Sequence, residues 1–230
     1  KVYGAKSVPS GREMDFDVEA VDDAVSAVNL ARTLAGIAPD SIYVLGHSLG
    51  GTLAPRIAER AKSLAGIIIL SGLARPLEDA VVEQTAYLAS LTDSVATAKA
   101  QVAEIRRQAL NVKKLGTADF DDKVPLLFNT PRSYWAFANR YRPVEVAAEL
   151  SLPILILQGE RDYQVTMEDF GLWRSGLFRH KNVFFKSYPK LNHLMQEGVG
   201  KSTPAEYNRA SSVPVYVISD IASFVREKKL

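Results

Sequence analysis

A serine flanked by glycines is the most reactive pattern in this chain, Gly46-His47-Ser48-Leu49-Gly50, with a further glycine at position 51. A serine hydroxyl can attack a carbonyl carbon when a nearby base accepts its proton. Three histidines are available as bases, at positions 47, 180 and 193. The chain has no cysteine, which excludes a thiolate nucleophile, a disulfide framework and a cysteine-ligated metal. The chemistry that these residues favour is therefore acyl transfer through Ser48.

The segments on either side of Ser48 predict a strand that leads into it and a helix that follows it. Residues 41–45 (SIYVL) form a short apolar run, and residues 51–62 have a helical pattern. A sharp strand-to-helix turn would strain the backbone of Ser48 and raise its Oγ above the edge of a sheet. In such a turn a Cβ at Gly46 or Gly50 would clash with the neighbouring backbone. The alternative is a glycine-rich turn whose serine has no chemical part.

The rest of the chain predicts the sheet that would carry this turn. The runs at 41–45 and 64–70 lack polar alternation, as is typical of parallel strands buried on both faces. Further strands are predicted at 153–158 and 182–188. Amphipathic or charged segments predict helices at 15–35, 78–91, 94–115 and 215–228, whereas 1–11 and 120–142 look irregular. Strands that alternate with helices predict an α/β fold built from right-handed crossover units.

The length, net charge and apolar runs of the chain limit the functions that it can have. A chain of 230 residues fits one domain with a large core. The net charge of +2 is too small to suggest nucleic acid or a membrane surface as the partner. No apolar run is long enough to span a bilayer and no signal peptide is visible, so the compartment, bacterial cytoplasm or outside the cell, stays open.

On the motif at 46–51 and its strand-turn-helix setting, the sequence resembles the α/β-hydrolase superfamily over essentially its whole length. The likeness is closest to bacterial esterase-like members grouped with dienelactone hydrolases and acyl-CoA thioester hydrolases. The resemblance implies a mostly parallel sheet flanked by helices and a serine hydrolase for small-molecule carboxylic esters or thioesters, with no cofactor. Dienelactone hydrolases use a cysteine nucleophile, and epoxide hydrolases and haloalkane dehalogenases of this fold use an aspartate. Ser48 argues against all three activities.

The resemblance also implies an order of catalytic residues: nucleophile, acid, histidine. The acid is then expected after the strand at 153–158, where Gly159-Glu160-Arg161-Asp162 follows, and the likeness places it at Asp162. Glu160 is an alternative, although it would instead pair with Arg161 in the turn. Asp169 is a second alternative, although carboxylates at a helix start are common for electrostatic reasons.

The base is expected at His193, in the loop after the strand at 182–188 where the family carries its histidine. His180 has positive neighbours and is typical of a solvated loop, and the side chain of His47 is expected to point away from that of Ser48. With this triad, the N–H of Leu49 at the start of a helix would donate to the oxyanion.

One feature of the family is not found in this sequence. Family members carry strands and a second oxyanion donor ahead of the nucleophile, but only one loop and one helix precede Ser41, and no H-G-G-G-like segment occurs. The strand at 41–45 would then lie at a sheet edge without charge or proline to protect it. We expect the missing N-terminal strands and donor to come from a longer form of the protein, or from a second chain or copy.

The resemblance divides the chain into a hydrolase core, residues 1–72 and 151–230, and a helical cap insert, residues 73–150. Tyr134, Trp135 and Phe137 are expected either to line an acyl pocket or to anchor the cap, and His47 is expected to contact substrate. Arg106 and Arg107 either belong to a solvated helix face or meet an anionic group such as a CoA phosphate.

Two other functions fit the same residues. A serine peptidase would use the same triad, because ester and amide acyl transfer share their machinery. A non-catalytic binding protein would retain the fold; the triad argues against it and the absent second donor argues for it.

Overall fold

The computed structural model describes residues 13–92 and 94–228, which belong to two compact units. One unit contains residues 1–22 and 75–141, and the other contains residues 23–74 and 142–230. The loop predicted at 1–11 lies outside the described residues. That the insert at 73–150 forms a cap over the active site stays a prediction.

The second unit contains a four-stranded parallel sheet in the order β1-β2-β3-β4. Its strands are Tyr43–His47 (β1), Gly66–Leu70 (β2), Ile154–Gly159 (β3) and Val183–Tyr188 (β4). Because all four run in one direction, their carboxyl ends meet at one edge, and this edge receives the loops that follow each strand. Within the described residues β1 is an outer strand, and Leu45 in its middle is 49% exposed, so the burial on both faces predicted for 41–45 is wrong.

Helices bury both faces of this sheet. The helices of the second unit are Asp22–Thr33 (α1, whose first residue belongs to the other unit), Leu49–Ala61 (α2), Pro143–Ala148 (α6), Met167–Gly176 (α7) and Val215–Glu227 (α8). Apolar side chains of α2 and α7, such as Ala54 and Trp173, pack with Ile67 and Ile69 on one face. On the opposite face, Phe224 of α8 packs with Leu155 and Leu157. Strands β2 and β3 are buried along their full length, which explains their apolar runs without polar alternation.

The first unit is helical. It contains a π-helical turn at Asp17–Val21, the helices Leu77–Ala89 (α3), Val95–Val112 (α4) and Arg132–Ala138 (α5), and a 3₁₀ turn at Leu127–Asn129. The ring of Phe16 packs edge-on against Tyr134 at 4.8 Å between centroids, and also against Phe137 at 5.3 Å. An ion pair between Lys113 and Asp79, 2.5 Å apart, joins the end of α4 to α3.

The predicted elements differ from the observed ones mainly at their ends. The first strand extends to His47 rather than ending at residue 45, because the chain turns only at Ser48. The helix predicted at 15–35 begins with the π-helical turn before α1. Residues 120–142, expected to be irregular, contain α5, which starts directly after Pro131, a residue whose restricted backbone suits a helix start.

Among the described residues, no helix combines the length and the apolar character that a membrane crossing requires.

Candidate active site

Ser48 occupies the turn between β1 and α2, with φ 57° and ψ −122°. This left-handed conformation is strained for a residue with a side chain. Two backbone hydrogen bonds hold it: the N–H of Ser48 donates to the carbonyl of Leu70 at 2.9 Å, and its carbonyl accepts from the N–H of Thr52 at 3.0 Å. The strained turn predicted from the glycine pattern is therefore present.

The glycines around Ser48 differ in what they allow. A Cβ at Gly46 would overlap the backbone carbonyl of Gly50, as predicted. A Cβ at Gly50 itself would meet nothing within 4 Å, so the predicted clash there is wrong. The crowded partner is Gly51, where a Cβ would stand 3.0 Å from the carbonyl oxygen of Gly46 and 3.1 Å from that of Leu70. Close packing of α2 against the sheet thus depends on Gly46 and Gly51.

Asp162 and His193 meet above the carboxyl ends of β3 and β4. Nδ1 of His193 lies 2.8 Å from Oδ2 of Asp162, and both residues are buried, with 3% and 5% of their surface exposed. The other carboxylate oxygen of Asp162 accepts hydrogen bonds from the backbone N–H groups of Gln164, at 2.8 Å, and Val165, at 3.0 Å. The carboxylate is thereby fixed in rotation. Because it accepts only, the hydrogen bond to His193 places the imidazole hydrogen on Nδ1.

The two alternative acids have other partners. Glu160 is exposed and accepts a hydrogen bond from the hydroxyl of Ser187 at 2.7 Å. Asp169 is fully buried, but it forms the capping box of α7 with Thr166 and accepts the N–H of Ala74 at 3.0 Å. The structure brings neither carboxylate to the ring of His193.

The other two histidines lie at opposite edges of the sheet. Nε2 of His47 lies 2.7 Å from the backbone carbonyl of His193, and their ring centroids are 4.7 Å apart. Burial lowers the pKa of His47, so its ring is neutral at neutral pH, and Nε2 carries the hydrogen that the carbonyl accepts. His180 lies at the amino ends of β3 and β4, bonded to the carbonyl of Leu150 and to the N–H of Asn182.

The loop of His193 is therefore bonded through its backbone to His47, the residue directly before Ser48. The described residues include no hydrogen bond between the hydroxyl of Ser48 and the ring of His193. In ligand-free enzymes such bonds commonly shorten only in the substrate complex. Leu49 is the first residue of α2, so its N–H has no partner within the helix. Its part as an oxyanion donor stays a prediction.

Several polar residues that support this site escaped the sequence analysis. Gln158, the penultimate residue of β3, is 2% exposed and donates from Nε2 to Oδ2 of Asp162 at 3.2 Å and to the carbonyl of Val165 at 2.8 Å. Asn192 is fully buried. A glutamine at the end of the otherwise apolar run PILILQ was the available indication, since buried amides require partners.

The predicted pairing of Glu160 with Arg161 is wrong. Nη2 of Arg161 instead lies 2.5 Å from Oε1 of Glu206, in the 3₁₀ turn Pro204–Asn208. This partner lies 45 positions further along the chain, a distance at which sequence spacing carries no information about contact.

The residues expected to contact substrate have different surroundings. Trp135 is fully buried, and its indole N–H donates to the carbonyl of Leu127 at 3.3 Å, which fits the anchoring alternative. Tyr134 is half-buried, and burial raises the pKa of its phenol. Arg106 and Arg107 are exposed on α4, where Arg107 pairs with Glu104. Contact of His47, Tyr134 or Trp135 with a substrate stays a prediction.

Comparison with known proteins identifies the family. A model of the α/β-hydrolase family matches residues 4–210. The chain belongs to the α/β-hydrolase family, and the predicted fold class and family are confirmed.

The chain is similar to Esterase EstD of Thermotoga maritima, with 35% identity over 212 residues. This similarity covers 92% of the chain but only 48% of the esterase, so the chain spans about half the length of that relative.

Solved structures share the fold. One is dipeptidyl peptidase 4 of Porphyromonas gingivalis, with a TM-score of 0.52 and 16% identity over 93% of this chain and 23% of that one. Another is BpoC of Mycobacterium tuberculosis, with a TM-score of 0.53 and 13% identity over 95% of this chain and 77% of that one. A third is Est1E of Butyrivibrio proteoclasticus, with a TM-score of 0.50 and 19% identity over 78% of this chain and 63% of that one. At these identities the likeness concerns the fold alone, and the fold serves many chemistries.

Proposed function

We propose that the protein is a serine esterase that cleaves small-molecule carboxylic esters through an acyl-enzyme on Ser48. The observation that carries the proposal is the buried hydrogen bond of 2.8 Å between His193 and Asp162, beside the strained turn of Ser48. The 35% identity to Esterase EstD supports the same class of reaction. Neither a cofactor nor a metal takes part in the proposed chemistry.

In the proposed mechanism, Oγ of Ser48 attacks the ester carbonyl while Nε2 of His193 accepts the hydroxyl proton. The charge that develops on the carbonyl oxygen is stabilised by the N–H of Leu49 and the positive end of α2. Asp162 holds the Nδ1–H of the imidazole and stabilises the imidazolium. His193 then protonates the leaving alcohol, and the same groups activate water to release the acid.

Thioesters form a second substrate class for the same residues, because a thiol is a better leaving group than an alcohol. Peptides form a third, although amides are less reactive and their amine needs protonation as it leaves. We expect activity on activated esters to exceed that on peptides.

The first test is labelling with a fluorophosphonate, which modifies an activated serine covalently. We expect peptide mass mapping to place the label on Ser48, and Ser48→Ala to abolish both the label and the hydrolysis of p-nitrophenyl esters. Ser71→Ala is the matched control, because Ser71 also follows a strand, also has a left-handed φ (47°) and is fully buried. It should keep both the label and the activity.

The outcomes separate the alternatives. An unlabelled protein without ester hydrolysis would support a binding protein that retains the fold. Labelling of Ser48 together with faster turnover of peptide than of ester substrates would favour a peptidase. Parallel assays of an acyl ester and its thioester decide the preferred leaving group.

We also infer that a strand supplied by a longer form of the protein, a second chain or a second copy pairs with the free edge of β1. The support lies in β1 itself: it is an outer strand of the described sheet, Leu45 is half-exposed, and the run 41–45 has neither charge nor proline. Hydrogen exchange of the full-length protein tests this inference. Slow exchange is expected for the β1 amides that do not pair with β2, and rapid exchange of those amides would contradict it.

A further inference from the structure

We propose that Arg161, Glu206 and Asn192 form a positioning clamp that holds the loop of the acid against the loop of the base. The proposal rests on the proposed function, in which Asp162 orients His193. Arg161 immediately precedes Asp162, and Asn192 immediately precedes His193. Glu206 contacts both of these neighbours, so one carboxylate links the two halves of the Asp162–His193 pair.

Arg161 contacts the loop of the base on both sides of His193. Its Nη1 donates to the carbonyl of Lys190 at 3.4 Å, before the histidine. Its Nε donates to the carbonyl of Gly200 at 2.8 Å, after the histidine. The side chain is only 8% exposed, and the planar fork of a guanidinium allows these contacts and the ion pair with Glu206 at the same time.

The second oxygen of Glu206 accepts a hydrogen bond from Nδ2 of Asn192 at 3.0 Å and from the hydroxyl of Ser202 at 3.2 Å. The orientation of the Asn192 amide is determined, because its Oδ1 accepts the backbone N–H groups of Leu194, at 3.0 Å, and Gln196, at 3.1 Å. Asn192 therefore connects Glu206 to the backbone on the far side of His193. Burial by itself would raise the pKa of Glu206, but the hydrogen bonds from Arg161, Asn192 and Ser202 outweigh it and lower the pKa, which keeps the carboxylate charged.

Two glycines provide the space for this arrangement. A Cβ at Gly198 would overlap the guanidinium of Arg161. A Cβ at Gly159 would stand 2.5 Å from the carbonyl oxygen of Leu191 and 2.7 Å from that of Asn192. The backbones of the two loops are joined directly by the N–H of Arg161, which donates to the carbonyl of Leu191 at 2.9 Å.

The turn that carries Glu206 makes a second connection to the loop of the acid. The hydroxyl of Tyr207 accepts a hydrogen bond from Nε2 of Gln164 at 3.1 Å, and the ring of Tyr207 stacks on Tyr163 at 6.2 Å between centroids. The segment 197–207, which no sequence motif explains, thus contacts the residues on both sides of the Asp162–His193 hydrogen bond. A displacement of about 1 Å at such a contact is sufficient to lower turnover by on the order of 10²-fold.

The experiment compares Glu206→Ala, Arg161→Ala and the double variant with the wild-type protein, on a p-nitrophenyl ester. We expect each single variant to lower kcat by on the order of 10-fold to 100-fold with little change in KM. The kcat of the double variant should be no lower than that of the more damaging single variant, because the two residues act as a unit. Glu206→Gln, which keeps the shape but satisfies only one of its partners, should recover part of the loss.

Asp220→Ala is the matched control. Asp220 pairs with Lys186 at 2.7 Å and accepts the hydroxyl of Tyr188, and it joins α8 to β4 on the other face of the sheet from α7. Its loss should lower the melting temperature without lowering kcat. Should Arg161→Ala or Glu206→Ala fail to fold, Gly198→Ala displaces the guanidinium more mildly and is expected to lower kcat in the same way.

The low-field proton resonance of the Nδ1–H of His193 provides a direct readout of position. It should be present in the wild-type protein and in Asp220→Ala, and broadened or lost in Glu206→Ala. Equal kcat values for Glu206→Ala and Asp220→Ala, with the resonance retained in both, would overturn the clamp. Activity that survives Ser48→Ala would instead overturn the proposed function, so the two failures are distinguishable.

Discussion

The two edges of the sheet carry similar residues with different surroundings. At the carboxyl edge, His193 is 3% exposed and bonded to a buried carboxylate, whose every oxygen has partners. At the amino edge, His180 is partly exposed and bonded only to backbone groups. Each edge also has a glycine without room for a Cβ, Gly159 at one and Gly66 at the other. Partners and burial, rather than residue type, therefore distinguish the carboxyl edge from the amino edge.

The largest expected difference between the two edges is the loss of kcat when the histidine of each is removed. His193→Ala should lower kcat for ester hydrolysis by on the order of 10⁶-fold, the size of loss measured when the base of a serine triad is removed. His180→Ala should leave kcat unchanged, because its partners are backbone groups at the amino edge. Steady-state kinetics on a p-nitrophenyl ester measure both. Comparable losses in the two variants would show that the edges do not differ as described.

The next prediction compares the loss of kcat after substitution of two buried carboxylates. Asp162→Asn should lower kcat by about 10⁴-fold, because the amide favours the wrong imidazole tautomer. Asp169→Asn should leave kcat nearly unchanged but reduce the free energy of unfolding by about 1–3 kcal/mol, because an amide has one acceptor oxygen and cannot serve both the N–H of Ala74 and that of Thr166. Kinetics combined with urea denaturation distinguish the two effects. Normal turnover in Asp162→Asn would mean that another group is the acid.

The smallest expected effect compares the crowded glycines. Gly159→Ala and Gly66→Ala should each reduce the free energy of unfolding by about 1–3 kcal/mol, because the new methyl group meets backbone carbonyls, of Leu191 at 2.5 Å and of Pro153 at 2.9 Å. Only Gly159→Ala should also lower kcat, since only that methyl group separates the loops of the acid and the base. A drop in kcat in Gly66→Ala as well would indicate that general loosening of the sheet, rather than the loop contact, limits turnover.

Much of the fold was predictable because its pattern is local. The apolar run without alternation at 64–70 indicated a strand buried on both faces, and β2 is buried along its length. The same pattern at 41–45 was misleading, because β1 is an outer strand whose Leu45 is half-exposed. The glycine pattern at 46–51 indicated the strained turn of Ser48. The short helix α5 and the true position of the crowded glycine, Gly51 rather than Gly50, were not predicted, because they depend on how neighbouring elements pack.

The residues of the candidate site also differ in how far local sequence predicts them. Ser48 was identifiable from its own neighbours in sequence. Asp162 and His193 needed the family order as well, since Glu160 and Asp169 offer the same carboxylate nearby. Gln158, Asn192 and the partner of Arg161 were not predictable, because a buried polar side chain is recognised only when its environment is known.

Residue types and short spacings were enough to predict the alternation of strands and helices, the strained turn at Ser48 and the lack of a cysteine nucleophile. The contact of Asp162 with His193, and the pairing of Arg161 with Glu206 rather than with Glu160, became apparent only in the folded chain. The physical reason is that hydrogen bonds and ion pairs require atoms within about 3 Å of one another. Parallel strands bring together loops that are separated by dozens of residues, and no local pattern records which side chains then meet.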